Sequence, residues 1–145
     1  MSSPPDFYIR DGKNVILFEC KDVKIPKEVK AEGTIQILLN EVDKDFVGYL
    51  DTKKNKWRYK GVGQLVRNAK RILEGEFAWD KNIDKDSRIF MVLVLADARQ
   101  VDAGWKNYLQ RKMREECTRQ GIDYERICPL ILMDLGTLTL YKGNF

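Results

Sequence analysis

The feature of this sequence that most restricts its fold is an uninterrupted apolar run, Ile89–Ala96, within the segment Arg88–Ala96. The run is rich in Val and Leu and contains no polar residue that would mark a side facing solvent. Strands with this pattern are buried on both faces, as in a sheet that carries helices on each side. We therefore expect Arg88–Ala96 to be a central strand, and the apolar segment Cys128–Met133 to be another.

Apolar residues at helical spacing predict helices over Thr34–Val47, Gly61–Phe77 and Asp102–Gln120. We expect Gly61–Phe77 to cover one side of the central strands and Asp102–Gln120 the other. The alternating segment Leu135–Tyr141 predicts a final edge strand. The resulting order of strands and helices indicates an α/β fold, with a mixed β-sheet flanked by helices in a single domain spanning residues 1–145.

Residues 5–21 predict a β-hairpin, with Asp11-Gly12 at the turn, because short hairpin loops favour residues that accept positive φ. The loop length is left open by the sequence. A two-residue loop at Asp11-Gly12 pairs Asp6 with Leu17, whereas a four-residue loop that starts at the same place pairs Asp6 with Glu19.

Both registers place Asp6 on the face that carries Glu19 and Lys21, because cross-strand partners and alternate residues point the same way; a three-residue loop would break this arrangement. Carboxylate oxygens suit Mg²⁺, and a neighbouring lysine can orient water or neutralise charge on a phosphate. These groups are the ones that metal-assisted phosphodiester hydrolysis requires. The alternative interpretation is an ordinary set of charge pairs on the surface of a hairpin.

Pro5-Asp6, the hairpin and then Glu19-Cys20-Lys21 resemble the motif of the PD-(D/E)xK nuclease superfamily, which has the restriction-endonuclease-like fold. The resemblance implies Mg²⁺ or Mn²⁺ as the cofactor and DNA as the substrate. It implies Asp6 and Glu19 as metal ligands, the carbonyl of Cys20 as a further ligand, and Lys21 as the catalytic lysine.

In the same family, a helix after the second motif often brings a Gln or Lys near the metal, and Gln64 or Lys60 matches by its place in the chain. This sequence departs from the family in two ways. Asn68 stands where one branch of the family has Tyr, and the acidic helix that usually precedes the Asp is absent. We therefore expect a restriction-endonuclease-like core lacking the usual first helix, or a fragment of a longer protein, with Glu41 as a candidate replacement carboxylate.

The segment Gly48–Lys60 mixes cations with aromatic residues, a pattern typical of nucleic-acid contacts, in which cations meet phosphates and rings meet bases. An equally good interpretation is a solvated loop or edge strand. The candidate nucleic-acid-binding residues are Lys53, Lys54, Lys56, Trp57, Arg58 and Lys60.

Composition excludes several kinds of site and partner. The 145 residues include no histidine, so Ser-His-Asp and Cys-His catalysis and histidine-bound metals are excluded. No apolar run is long enough to cross a membrane, and no signal peptide is visible. Three cysteines without paired spacing indicate a reducing compartment, so we expect a cytoplasmic protein.

The leading hypothesis is a Mg²⁺-dependent nuclease acting on DNA, with RNA as the alternative polymer. The second hypothesis is a catalytically weak or inactive nucleic-acid-binding or assembly module that keeps the nuclease fold. A protein-interaction domain without a polyanionic partner is the third. The sequence leaves open whether the chain forms a homodimer or follows an upstream domain in a longer chain.

Overall fold

The computed structural model describes residues 3–22, 35–96 and 103–140. In chain order, its elements are β1 (Phe7–Asp11), β2 (Asn14–Lys21), α1 (Ile35–Phe46), β3 (Gly48–Asp51), β4 (Lys56–Tyr59), α2 (Gly61–Leu73), β5 (Arg88–Leu95), α3 (Ala103–Gln120), a 3-10 turn (Tyr124–Arg126), β6 (Ile131–Asp134) and α4 (Leu135–Leu140).

The main sheet has four strands in the order β1-β2-β5-β6. β1 is antiparallel to β2, whereas β2, β5 and β6 run parallel to one another. A separate two-stranded antiparallel hairpin is formed by β3 and β4. The predicted α/β fold with a mixed sheet flanked by helices is therefore confirmed.

The prediction of two central strands is half right. β5 lies between β2 and β6, as its apolar run indicates. β6 lies at the edge of the described sheet, so the prediction that Cys128–Met133 is a central strand was wrong. Pro129 has no N–H to donate, and the ladder with β5 begins only at Ile131, which is 40% exposed.

The prediction that α2 and α3 cover opposite faces of the sheet was wrong, because both pack on the same face. Leu65 and Ile72 of α2 and Leu109 and Met113 of α3 belong to one buried cluster with the helix-facing residues of the sheet. The topology explains this arrangement: the β2-to-β5 and β5-to-β6 connections step across the sheet in the same direction. Right-handed crossovers in one direction place their helices on one side.

The opposite face of the sheet carries a smaller cluster of Phe18, Val92 and Val94. β5 is therefore buried on both faces, as its continuous apolar run requires.

Two further predictions differ from the structure, one on the end of a helix and one on the type of the last element. Helix α2 ends at Leu73 rather than Phe77, because Gly75 takes a φ of 72° that leaves the helical region. The segment predicted as a last edge strand is instead helix α4 as far as Leu140; Tyr141 lies outside the described residues. Oδ1 of Asp134 accepts a hydrogen bond of 2.8 Å from the backbone N–H of Thr137 and so caps this helix. The alternating sequence pattern did not indicate this cap.

The other two predicted helices are confirmed as α1 and α3, with Thr34 and Asp102 outside the described residues. No helix in the described part of the chain is both long enough and apolar enough to span a membrane.

Candidate active site

The β1–β2 hairpin closes at Gly12-Lys13, with Gly12 at a φ of 57°. The last pair is Asp11 with Asn14, so Asp11-Gly12 is not itself the loop. This register corresponds to the four-residue alternative from the sequence. Continuing it by one position beyond the pair of Phe7 with Phe18 places Asp6 opposite Glu19.

Asp6 and Glu19 meet at the open end of this hairpin. The Oδ2 atom of Asp6 accepts a hydrogen bond of 2.8 Å from the backbone N–H of Cys20. Glu19 is 1% exposed, and its Oε1 atom has no hydrogen-bond partner among the described residues. Burial, and then the adjacent charge and hydrogen bond of Asp6, raise the pKa of Glu19 to about 8.

The burial of Glu19 follows directly from its strand position. Val15, Leu17 and Glu19 alternate along β2 on the face that α2 and α3 cover, and Glu19 pairs with Leu93 of β5. A carboxylate therefore occupies a position that the fold otherwise fills with apolar side chains. Buried, unpartnered carboxylates oppose folding, and such groups concentrate at functional sites.

Lys21 lies on the same face of β2 as Glu19, and its charge lowers the pKa of Glu19 against the larger effect of burial. It also faces Asp45 at the end of α1. The pKa of Asp45 is raised by burial and by Glu41, and lowered by Lys21 and other cations nearby. A cleft beside β2 is lined by Cys20, Lys21, Asp22, Lys44, Asp45, Tyr49 and Lys60.

Sequence reasoning missed Asp45, and the structure shows how it reaches Lys21. A Cβ atom on Gly63 would lie 2.1 Å from the carbonyl oxygen of Val47, so only glycine allows this approach. The backbone N–H of Lys60 donates to the same oxygen at 3.0 Å. The start of α2 is thereby held against the end of α1. The Gly-x-Gly sequence at Gly61 was the available signal, because close backbone approach is a common reason for glycine.

The other candidate residues are distributed around this centre. The side-chain amide of Gln64 donates a hydrogen bond of 3.4 Å to the carbonyl oxygen of Pro4. This contact supports the segment before Asp6 and does not involve the carboxylates of Asp6 and Glu19. Lys60 lines the cleft together with Lys21. Glu41 forms a 3.4 Å ion pair with Lys44 and acts on Asp45, without joining Asp6 and Glu19.

The carboxylates at the open end of the hairpin suit a divalent cation that is also bound by oxygen atoms of a substrate. Asp6 and Glu19 offer two adjacent carboxylates, and the orphaned Oε1 of Glu19 is the group that a cation would satisfy. No cluster of three or more His, Cys, Asp or Glu side chains capable of holding a metal occurs within residues 3–22, 35–96 and 103–140. Two carboxylates suffice for Mg²⁺ when water and phosphate oxygens complete its shell. The carbonyl of Cys20 remains a predicted ligand; the thiol of Cys20 points to solvent.

The residues predicted to bind nucleic acid fall into two groups. Lys53 and Lys54 occupy the exposed β3–β4 turn, where their backbone N–H groups donate to Asp51. The rest line a groove between β4 and α2, together with five residues that are not among the predicted nucleic-acid-binding residues. The lining residues are Ser3, Lys56, Trp57, Arg58, Tyr59, Lys60, Gln64, Arg67 and Arg71.

Two of the predicted binding residues already have partners within the chain. Arg58 forms a 3.4 Å ion pair with Asp51. The guanidinium of Arg119 lies 4.2 Å from the centre of the Trp57 ring, so one face of that ring is covered.

Comparison with known proteins identifies no relative: no family model, no curated protein and no solved structure matches this chain.

Proposed function

We propose that this protein is a Mg²⁺-dependent nuclease that hydrolyses phosphodiester bonds in DNA. The observation that carries the proposal is the pair of adjacent carboxylates, exposed Asp6 and buried Glu19, with Oε1 of Glu19 unpartnered among the described residues and Lys21 on the same face as Glu19. The resemblance of these residues to the PD-(D/E)xK motif supports it.

In this mechanism Asp6 and Glu19 would hold the metal. A bound Mg²⁺ or Mn²⁺ would supply Lewis acidity and a nucleophilic hydroxide at neutral pH. Glu19 must lose its proton to act as a ligand, because its pKa lies near 8 in the metal-free protein. The ammonium of Lys21 donates hydrogen bonds to the phosphate or to the attacking water, and so stabilises the charge that develops there.

The surroundings of the site suit a polyanionic substrate. Lys60 lines both the cleft beside Lys21 and the basic groove between β4 and α2. A strand bound in the groove would therefore reach the cleft that Lys21 lines. We propose the cytoplasm as the compartment, because Cys20, Cys117 and Cys128 are all free thiols.

The test is a cleavage assay on single-stranded DNA, double-stranded DNA and RNA with Mg²⁺, with Mn²⁺ and with chelator. We expect metal-dependent cleavage by the unaltered protein, loss of cleavage in Lys21→Ala, and normal cleavage in Lys106→Ala, which removes an exposed lysine from α3. Cleavage that persists in Lys21→Ala at the unaltered rate, or in chelator, would contradict the proposal.

A second candidate function is a nucleic-acid-binding module that turns over slowly or not at all. It is favoured by the convergence of only two carboxylates at the site among the described residues. DNA binding with a steep salt dependence, combined with no cleavage in either metal, would support this second function over the first.

A further inference from the structure

We propose that the groove between β4 and α2 contains a phosphate-binding subsite for the nucleic-acid strand, in which Arg71 and Arg67 bind the phosphate. The inference rests on the proposed function, because the phosphate belongs to the same substrate. It adds a second anchoring point, separate from the two carboxylates of the candidate metal site.

The charge of the groove is one-sided. Its lining includes Lys56, Lys60, Arg67 and Arg71 together with Arg58, and none of the lining residues is acidic. Of these cations only Arg58 is in an ion pair with a carboxylate within the described part of the chain. Clefts that concentrate one sign of charge attract ligands of the opposite sign, and phosphate is the anion that guanidinium groups recognise best.

Arg71 provides the second and independent observation. Its side chain is largely buried, with the residue 8% exposed, although it lines the groove. Nη1 donates to the carbonyl oxygen of Ser3 at 3.3 Å and to Oδ1 of Asn68 at 3.0 Å. Nη2 has no acceptor among the described residues. A buried donor without an acceptor is unfavourable, and a phosphate oxygen would remove that penalty.

Arg67 completes the subsite from one turn earlier on α2. Its guanidinium lies 5.6 Å from the centre of the Tyr59 ring, which fixes it at the wall of the groove. Burial and the adjacent charge of Arg67 lower the pKa of Arg71, so the two cations lie close together, in a groove whose described lining contains no carboxylate. An anion shared by both guanidinium groups relieves this repulsion.

Helix α2 connects the subsite to the site of the proposed chemistry. Gln64, Arg67 and Arg71 follow one face of α2, and the seven-residue separation of the outer two corresponds to about 10 Å along the helix. Gln64 contacts the segment that leads into Asp6, and Lys60 joins the groove to the cleft of Lys21. A strand whose reacting phosphate lies at Lys21 would thus place a later phosphate at Arg71.

A purely structural role for Arg71 must be separated from this one. Nη1 already holds the carbonyl of Ser3 and so supports the start of the chain. Nη2 takes no part in that contact. Arg71→Gln removes both nitrogens, so the two roles are separated at Arg67. The Arg67 side chain forms no hydrogen bond with a main-chain atom among the described residues, and its replacement therefore tests the subsite without disturbing Ser3.

The experiment measures binding of fluorescent single-stranded oligonucleotides to the full chain in chelator, so that no cleavage intervenes. Arg67→Gln and Arg71→Gln are compared with Arg111→Gln, which removes the same charge from an exposed position on α3. We expect each groove variant to weaken binding about tenfold and to reduce the salt slope by about one, and the control to change affinity less than twofold. Oligonucleotides carrying a 5′-phosphate, a 3′-phosphate or neither distinguish a terminal phosphate from an internal one, since only a terminal phosphate makes the effect depend on the end group.

Equal affinities for the two groove variants and the Arg111→Gln control would overturn the subsite. If Arg71→Gln is destabilised in thermal unfolding, Arg67→Gln decides alone. The two proposals can fail separately: unaltered protein that binds through Arg67 but never cleaves would refute only the nuclease. Metal-dependent cleavage with unchanged binding in Arg67→Gln and Arg71→Gln would refute only the subsite.

Discussion

The β1–β2 hairpin and the β4–α2 groove place charged residues in opposite ways. In the hairpin, two carboxylates are adjacent because of a local register, and Glu19 is buried with no partner for Oε1 among the residues that the structure describes. In the groove, cations from a strand and a helix converge through tertiary packing. The first arrangement suits a cation and the second suits a polyanion. The comparison teaches that charges close in sequence specify the candidate chemistry, whereas charges close only in space specify the candidate substrate contact.

The sharpest test of this division is Glu19→Gln, which keeps the shape of the side chain and removes its negative charge. We expect metal-dependent cleavage to fall by about three orders of magnitude, because a metal ligand is lost. DNA affinity in chelator should stay the same at neutral pH, since Glu19 is already protonated there when no metal is bound. If Glu19→Gln lost DNA affinity and cleavage to the same extent, the hairpin would contribute to DNA binding as well as to the chemistry.

The hairpin could be predicted from the sequence to a degree that the groove could not. Alternation along β2 and a short turn constrain Asp6, Glu19 and Lys21 to one face, since a two-residue period leaves few alternatives. The register of the structure is the one that the four-residue alternative predicts, and only the turn residues differ, since Asp11 pairs with Asn14. By contrast, Arg67 and Arg71 look like the polar side of an amphipathic helix in the sequence. Their proximity to β4 depends on how α1, β3 and α2 pack, which no local pattern encodes.

The failure over the two sheet faces has a similar origin. The helical pattern of α2 and α3 predicts that each has a buried side, and this was correct. Which side of the sheet they cover depends on the spatial order of the strands, and that order is set by long-range pairing of β2 with β5 and of β5 with β6. The continuous apolar run of β5 is compatible with either arrangement.

A second prediction concerns the packing that joins the two regions. Gly63→Ala should lower the free energy of unfolding by about 3 kcal/mol, because its Cβ would meet the Val47 carbonyl oxygen. Gly12→Ala is the matched control: Gly12 has a φ of 57°, and no atom of the other described residues lies within 4 Å of the new Cβ, apart from its chain neighbours, so about 1 kcal/mol is expected from backbone strain alone. Chemical denaturation measures both. Equal losses in the two variants would show that the contact at Val47 is not tight.

The pKa of Glu19 gives a third prediction, on stability against pH. The folded protein holds a proton on Glu19 up to about pH 8, whereas the unfolded chain releases it near the ordinary glutamate pKa of 4.5. Between these two pH values the folded protein therefore binds more protons than the unfolded chain. The stabilisation of the folded state by this proton is present in full below pH 4.5 and is lost as the pH rises to 8. In chelator, we expect Glu19→Gln to gain stability over the unaltered protein across this window, by on the order of 3 kcal/mol at its upper end. A difference that does not change with pH would contradict the raised pKa.

The same proton makes metal binding depend on pH. We expect the free protein to bind Mg²⁺ or Mn²⁺ weakly, with affinity rising up to tenfold per pH unit below pH 8 and levelling above it, because Glu19 must be deprotonated to bind the ion. Addition of a non-cleavable oligonucleotide should strengthen metal binding, since phosphate oxygens complete the coordination shell. Calorimetric titration in buffers of different ionisation enthalpy measures both the affinity and the released proton. Tight, pH-independent binding without DNA, lost in Asp6→Ala and in Glu19→Ala, would show a complete metal site and refute this prediction.

The smallest expected effect distinguishes the two ends of the basic hairpin. Lys53 and Lys54 lie on the exposed β3–β4 turn, and only their backbone groups are held, by Asp51. Lys56 lines the groove itself. We expect Lys53→Ala and Lys54→Ala each to weaken DNA binding less than twofold at physiological salt, because exposed, mobile charges are screened within about 8 Å. Lys56→Ala should weaken it about threefold and lower the salt slope, since a cation in the groove displaces counterions from one phosphate. Equal losses for all three lysines in salt-dependent binding curves would extend the binding surface over the whole hairpin and remove the distinction between the groove and its rim.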